Sequence, residues 1–133
     1  MGVIPEHLMA WEVGHRGLSK LQVVPSMHER KKLMADLSDG FVALPGGFGT
    51  LEELCEMLTW TQLALQAKPC GLLDIQGYYG PLLAMFDRMV DTGFLNRENR
   101  SLLLASDSPP VLLQALHDWQ APAVRKQFEW DRA

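Results

Sequence analysis

A chain of 133 residues with 47% hydrophobic and 21% charged residues has the length and composition of one ordinary globular domain. Its formal net charge of -4 argues against a general nucleic-acid or anionic-membrane binder, because both surfaces repel an acidic protein. A small phosphorylated ligand stays open, since a few local donors can hold one phosphate whatever the total charge.

Two cysteines, Cys55 and Cys70, each stand in an apolar segment. They predict buried free thiols in a reducing compartment and no disulfide framework. Residues 2–8 are neither basic nor a long apolar run, so no secretory signal is expected. Glu6 stands where a myristoylation signal needs a hydroxyl residue. No apolar stretch approaches membrane-spanning length. The expected location is the cytoplasm.

In chain order, Val3 and Ile4 before Pro5 read as the end of a strand, and residues 6–14 as a short helix or a loop. Residues 21–24 form a short apolar run closed by Pro25, a further strand. Ser26-Met27-His28-Glu29 fits a capping box, in which serine and glutamate each satisfy an orphan backbone donor, so a helix is expected from there to about Leu37. Asp39-Gly40 marks a turn. Phe41-Val42-Ala43-Leu44 is a continuous apolar run, as a strand covered on both faces requires. Pro45-Gly46-Gly47-Phe48-Gly49-Thr50 follows, then a long helix from about Leu51 to Leu65. Residues 71–75 read as another strand. Pro81 suits a first helical position and Gly93 a C-terminal cap. Residues 102–105 predict a last strand, Pro109 or Pro110 a last helix through Trp119, and 120–133 a tail. Strands alternating with helices over residues 1–119 mean one α/β domain with a mainly parallel sheet.

The strongest local signal is residues 44–53, where a buried strand passes through three glycines into a helix. Glycines let the backbone bend tightly and approach a ligand closely, and the helix start offers free N–H groups and about half a positive charge. Such a loop lies at the carboxyl end of its strand, where open α/β sheets bind ligands. The alternative is a tight turn with no ligand. The pattern is neither the dinucleotide G-x-G-x-x-G fingerprint nor a P-loop, because no lysine follows the last glycine. Glu53 has an alternative too, since Thr50-Leu51-Glu52-Glu53 is itself a capping box.

Arg30 shifts this balance. Met27, Arg30, Met34 and Leu37 share one face of the first long helix, and an arginine in an apolar stripe either reaches out to water or has an anionic partner. With an anion-binding loop and an acidic residue one strand later, pairing is the better reading. Lys31, one step round the helix, reaches the site's edge or stays solvated.

These residues resemble the LONELY GUY family, often labelled "possible lysine decarboxylase". The matching pieces are Gly2-Val3-Ile4-Pro5, Met27-His28-Glu29-Arg30-Lys31, Pro45-Gly46-Gly47-Phe48-Gly49-Thr50-Leu51-Glu52-Glu53, Leu58-Thr59-Trp60-Thr61-Gln62-Leu63, Lys68-Pro69-Cys70-Gly71-Leu72-Leu73 and Gly77-Tyr78-Tyr79. The resemblance implies a Rossmann-like, mainly parallel sheet flanked by helices. It also implies cleavage of the N-glycosidic bond of a nucleoside 5'-monophosphate, adenine-type and N6-modified forms included, to free base and ribose 5-phosphate. It places Arg30 and Glu53 at the catalytic centre. It puts Gly46, Gly47, Phe48, Gly49 and Thr50 on the phosphate, and Glu12, Lys31 and Thr59 in further contact with the substrate. It implies a homodimer or larger homo-oligomer.

No metal or cofactor is expected. Amino-acid decarboxylation normally needs an electron sink such as pyridoxal phosphate held by a lysine Schiff base, and nothing marks Lys31 or Lys32 as desolvated. The resemblance also implies strand–helix units ahead of Gly-Val-Ile-Pro, and without them a sheet edge and apolar helix faces are expected to be exposed. Two other functions remain open: a nucleotide or phosphorylated-cofactor carrier that uses the loop without turnover, and an inactive self-associating fragment.

Overall fold

Short apolar runs become parallel strands, and the segments between them become the crossover helices that parallel pairing requires. In a computed structural model, residues 2–9, 17 and 20–122 are described. They fall into two units, Met1–Asp39 and Gly40–Ala133.

In the first unit, β1 (Gly2–Pro5) pairs in parallel with β2 (Leu21–Val24), Gly2 opposite Leu21 and Pro5 opposite Val24. A one-turn helix α1 (Glu6–Met9) follows β1. Helix α2 (Met27–Leu37) follows β2 and packs on the two strands. It begins where the capping box predicts: the Ser26 hydroxyl oxygen accepts from the Glu29 N–H at 3.2 Å. The apolar stripe differs from expectation. Ala35 is the buried residue of α2, Met27 and Met34 are half-buried, and Leu37 is exposed.

In the second unit the strand order is β3 (Phe41–Ala43), β4 (Cys70–Leu73), β5 (Leu103–Ser106), all parallel. Helix α3 (Phe48–Gln62) joins β3 to β4, and α4 (Gly80–Asp91) with the one-turn α5 (Arg97–Arg100) joins β4 to β5. The order advances steadily across the sheet, so two crossovers of the same hand place α3 and α4 on one face. The core bears this out: Leu54 of α3, Leu72 of β4, Phe86 of α4 and Leu103 of β5 form one buried cluster with Tyr79. The last helix, α6 (Pro109–Asp118), covers the other face. A Cβ on Gly71 would stand 2.9 Å from Leu112 Cδ1 and 3.2 Å from Leu116 Cδ2. Glycine at 71 is therefore what lets α6 lie directly on the β4 backbone. The fold is α/β with a parallel sheet flanked by helices, as read from the sequence. Among the described residues no helix is long and apolar enough to cross a membrane.

Several boundaries move for physical reasons. Helix α4 takes Pro81 in its first turn, and Gly93 follows its C-cap at φ +88, both as expected. Strand β4 stops at Leu73, because Asp74 turns the chain into a 3-10 turn at Ile75–Gly77. Helix α5 was not anticipated. Its sequence, Arg-Glu-Asn-Arg, is polar all round and leaves no periodic signal, while Asn96 caps it by accepting from the Asn99 N–H at 2.7 Å. Arg100 ties it to α4 through Asp87 at 2.8 Å. Of the two thiols only Cys70 is buried, where burial pushes it up to about 11. Cys55 lies on an exposed face of α3, against the expectation that both are buried.

Candidate functional site

The glycine loop leaves the carboxyl end of β3 and enters α3 earlier than the sequence suggests. Gly47 is the N-cap and Phe48 the first helical residue. The Leu51 N–H already donates to the Gly47 carbonyl at 3.1 Å. Phe48, Gly49 and Thr50 thus form the first turn, whose N–H groups have no carbonyl partner within the helix. A glycine cap supplies no side-chain oxygen to them. One alternative reading of Glu53 falls here. Thr50 is the third helical residue, not the cap, so Glu53 is not the closing residue of a capping box. It stands in the second turn, three residues beyond Thr50 on the same side of the helix, and is half-buried.

The three glycines have different reasons to be glycine. A Cβ at Gly46 would lie 2.2 Å from Thr50 Oγ1 and 2.9 Å from Thr50 Cβ, so the loop itself excludes a side chain there. At Gly47 and Gly49 an added Cβ would meet no atom within 4 Å among the described residues. Gly47 has φ -104, outside the left-handed region that favours glycine. No neighbouring element crowds these two positions. They leave an open approach to the backbone at the first turn of α3.

The loop is held from the next strand. After β4, Asp74 anchors the chain in two ways: its N–H donates to the Ser106 carbonyl at 2.9 Å, and its Oδ1 accepts from the Tyr79 N–H at 2.9 Å. Gln76 and Gly77 then take left-handed conformations, φ +53 and +70. That conformation costs Gln76 free energy. The turn delivers Tyr78 and Tyr79 beside the glycine loop. The Tyr78 hydroxyl donates to the Gly46 carbonyl at 2.6 Å, and the Tyr79 hydroxyl to the Leu44 carbonyl. The two rings meet edge to face with centroids 4.9 Å apart. Tyr79 is buried, and that burial, with Tyr78 beside it, holds its phenol above the ordinary tyrosine range. Gly77-Tyr78-Tyr79 carries no local sign of these two contacts. Only the chain fold shows that their hydroxyls reach residues 32 and 35 positions earlier.

The remaining expected residues are placed as follows. Arg30 is half-buried on α2 with its Nη1 3.8 Å from Met27 Sδ, and Lys31 is half-buried beside it. Thr59 is exposed, and its hydroxyl donates to the Cys55 carbonyl at 2.7 Å. It lies nine residues after Thr50, about 13 Å along the helix axis and on the opposite side, so α3 does not bring it to the glycine loop. Glu12 lies outside the described residues. Among the described residues no group of three or more His, Cys, Asp or Glu side chains could hold a metal ion.

Comparison with known proteins bears on this geometry directly. Residues 1–116 match the family described as "Possible lysine decarboxylase". A "Probable cytokinin riboside 5'-monophosphate phosphoribohydrolase" of Oryza sativa subsp. japonica is 44% identical over 133 residues, covering 97% of this chain and 60% of the relative. A "Cytokinin riboside 5'-monophosphate phosphoribohydrolase" of Arabidopsis thaliana is 40% identical over 136 residues, covering 99% of this chain and 64% of the relative. A rice protein of that same name is 40% identical over 131 residues, covering 98% and 54%. The chain thus spans less than two thirds of the length of these curated relatives. With the glycine loop, its helix and nearly the whole chain inside the match, this chain belongs to the LONELY GUY, or possible lysine decarboxylase, family.

Proposed function

We propose that this protein is a nucleoside 5'-monophosphate phosphoribohydrolase that releases free base and ribose 5-phosphate, with adenine-type and N6-modified nucleotides as the substrate class. The observation that carries the reading is the pair of glycines at 47 and 49, which leave the backbone open at the start of α3. An anion there meets unpaired N–H groups and the positive end of the helix. The names of the relatives, phosphoribohydrolases of a riboside monophosphate, support a phosphorylated nucleoside as that anion.

In the proposed reaction, water adds to C1' of the ribose as the bond from C1' to the base nitrogen breaks. One water proton ends on the departing base and the sugar keeps its phosphate. The sugar passes through an oxocarbenium-like state, which the Glu53 carboxylate stabilises while it orients or deprotonates the water. Arg30 neutralises phosphate or positions the carboxylate with its planar fork. Gly46, Gly47, Phe48, Gly49 and Thr50 hold the phosphate, and Glu12 and Lys31 are further substrate contacts; Thr59, which α3 holds away from the loop, would contact only a part of the nucleotide remote from the phosphate.

The proposal treats residues 1–119 as one domain, in keeping with the family match over residues 1–116. It takes the protein to act in the cytoplasm, where thiols stay reduced. It also takes the working form to be a homodimer or larger homo-oligomer.

The test is to incubate the chain with AMP and identify the products. Adenine and ribose 5-phosphate in equal amounts are expected. Adenosine and inorganic phosphate would overturn the reaction assigned. AMP that binds and stabilises the chain without turnover would favour a nucleotide carrier.

A further inference from the structure

The peptide between Gly46 and Gly47 is flanked by glycine on both sides. Neither neighbour has the Cβ that normally resists rotation of a peptide plane. In a trans peptide the N–H and the carbonyl point in opposite directions, so rotating this plane would exchange a donor for an acceptor at the mouth of the loop. An acceptor there would repel an anion. Something must therefore choose the orientation, and the Tyr78 hydroxyl donates to the Gly46 carbonyl at 2.6 Å.

Tyr78 is itself exposed, with 54% of its surface accessible. It is steered from the side. Its ring meets the edge of Tyr79, which is 2% exposed, and the Tyr79 backbone N–H is held by Asp74 Oδ1. The left-handed Gln76 and Gly77 complete the turn that delivers it. A strained turn and a fixed aromatic neighbour thus hold one exposed hydroxyl against the most easily rotated peptide of the loop.

We propose that Tyr78 is a positioning residue for phosphate recognition: by holding the Gly46 carbonyl it keeps that oxygen turned away and leaves the Gly47 N–H on the anion's side. The proposal rests on the reading of residues 46–50 as the phosphate site. Tyr79 supplies an internal contrast. Its hydroxyl holds the Leu44 carbonyl, and that peptide ends on Pro45, which has no N–H to present. Tyr79 therefore supports the loop without setting a donor.

The test uses the full chain with AMP and adenosine as probes, measuring equilibrium binding and melting temperature for the parent, Tyr78→Phe and Tyr79→Phe. The parent should bind AMP more tightly than adenosine. In Tyr78→Phe the affinity for AMP should fall about 3- to 10-fold, the size of one hydrogen bond, with adenosine binding and melting temperature almost unchanged. Tyr79→Phe should lower the melting temperature and spare the preference for AMP. Unchanged AMP affinity in Tyr78→Phe, or equal losses for AMP and adenosine, would overturn the proposal while leaving the phosphate site standing. An equal loss of AMP preference in Tyr79→Phe would replace it by general loop support. A parent with no preference for AMP would remove the phosphate site and the proposal together.

Discussion

Glu53 stands in the second turn of a helix capped by Gly47, beyond the position that closes a capping box. That position separates two expectations for Glu53→Gln. A capping role would be kept, because the capping box accepts either residue. A role on the cationic sugar would be lost, because glutamine keeps size and hydrogen bonding but not charge. We expect turnover to fall by about 10²–10⁴-fold with nucleotide binding largely preserved, read from initial rates and equilibrium binding on the same preparation. Near-normal turnover would remove Glu53 from the chemistry. Arg30→Lys should also fail as a conservative change. Lysine keeps the charge but lacks the planar fork that holds an oxyanion with two bonds, so activity should drop clearly with little change in melting temperature. Unaltered kinetics would make Arg30 a solvated side chain. The sequence singles out Arg30 because an arginine is rare among methionines. It was silent on Tyr78 and Tyr79, because an ordinary tyrosine after a turn carries no sign of which distant carbonyl its hydroxyl meets.

The element that matters most is the first turn of α3. The sequence predicts a helix from about Leu51, and Gly-Phe-Gly ahead of it disfavours helix by intrinsic propensity. The structure begins it at Phe48. Both glycines of that segment sit where an added Cβ would meet nothing within 4 Å beyond its chain neighbours and the helix's own backbone. This yields a prediction with opposite signs for stability and binding. Gly49→Ala replaces a helical glycine by the best helix former and should stabilise the fold by roughly 0.5–1 kcal/mol. The same methyl group would occupy the approach to the first-turn N–H groups and should weaken phosphate binding. Thermal melting together with AMP binding reads both; stabilisation without any loss of AMP affinity would show that the open space is not the anion's. Strand and helix order was legible throughout because apolar runs, capping serines and the Pro81 and Gly93 signals report local physics. The one-turn α5 was not, because four polar residues with a single asparagine cap have no periodicity to read. The interruption after Leu73 depends on Asp74 holding both Ser106 and Tyr79, two contacts that no local window contains.

For the molecule as a whole, the net charge of -4 and an anionic substrate agree if recognition is local, built from a few donors such as the backbone N–H groups at the start of α3. Composition could exclude the broad polyanion binders but could not locate such a site. The strand–glycine loop–helix pattern points to residues 44–53 for it, and family membership supports a chemistry there. The parallel sheet of the second unit places the carboxyl ends of β3, β4 and β5 together. The glycine loop, Asp74 and Ser106 therefore come from one edge, the edge at which open α/β sheets bind ligands. The central claim is that this edge recognises a 5'-phosphate and that the protein cleaves the glycosidic bond of the nucleotide bearing it. The direct measurement is the rate of adenine release from AMP and from adenosine, at equal concentration and with the same protein. Adenine from AMP at a rate at least tenfold above that from adenosine is the predicted result. Equal rates from the two, or no adenine from AMP at any protein concentration, would contradict it.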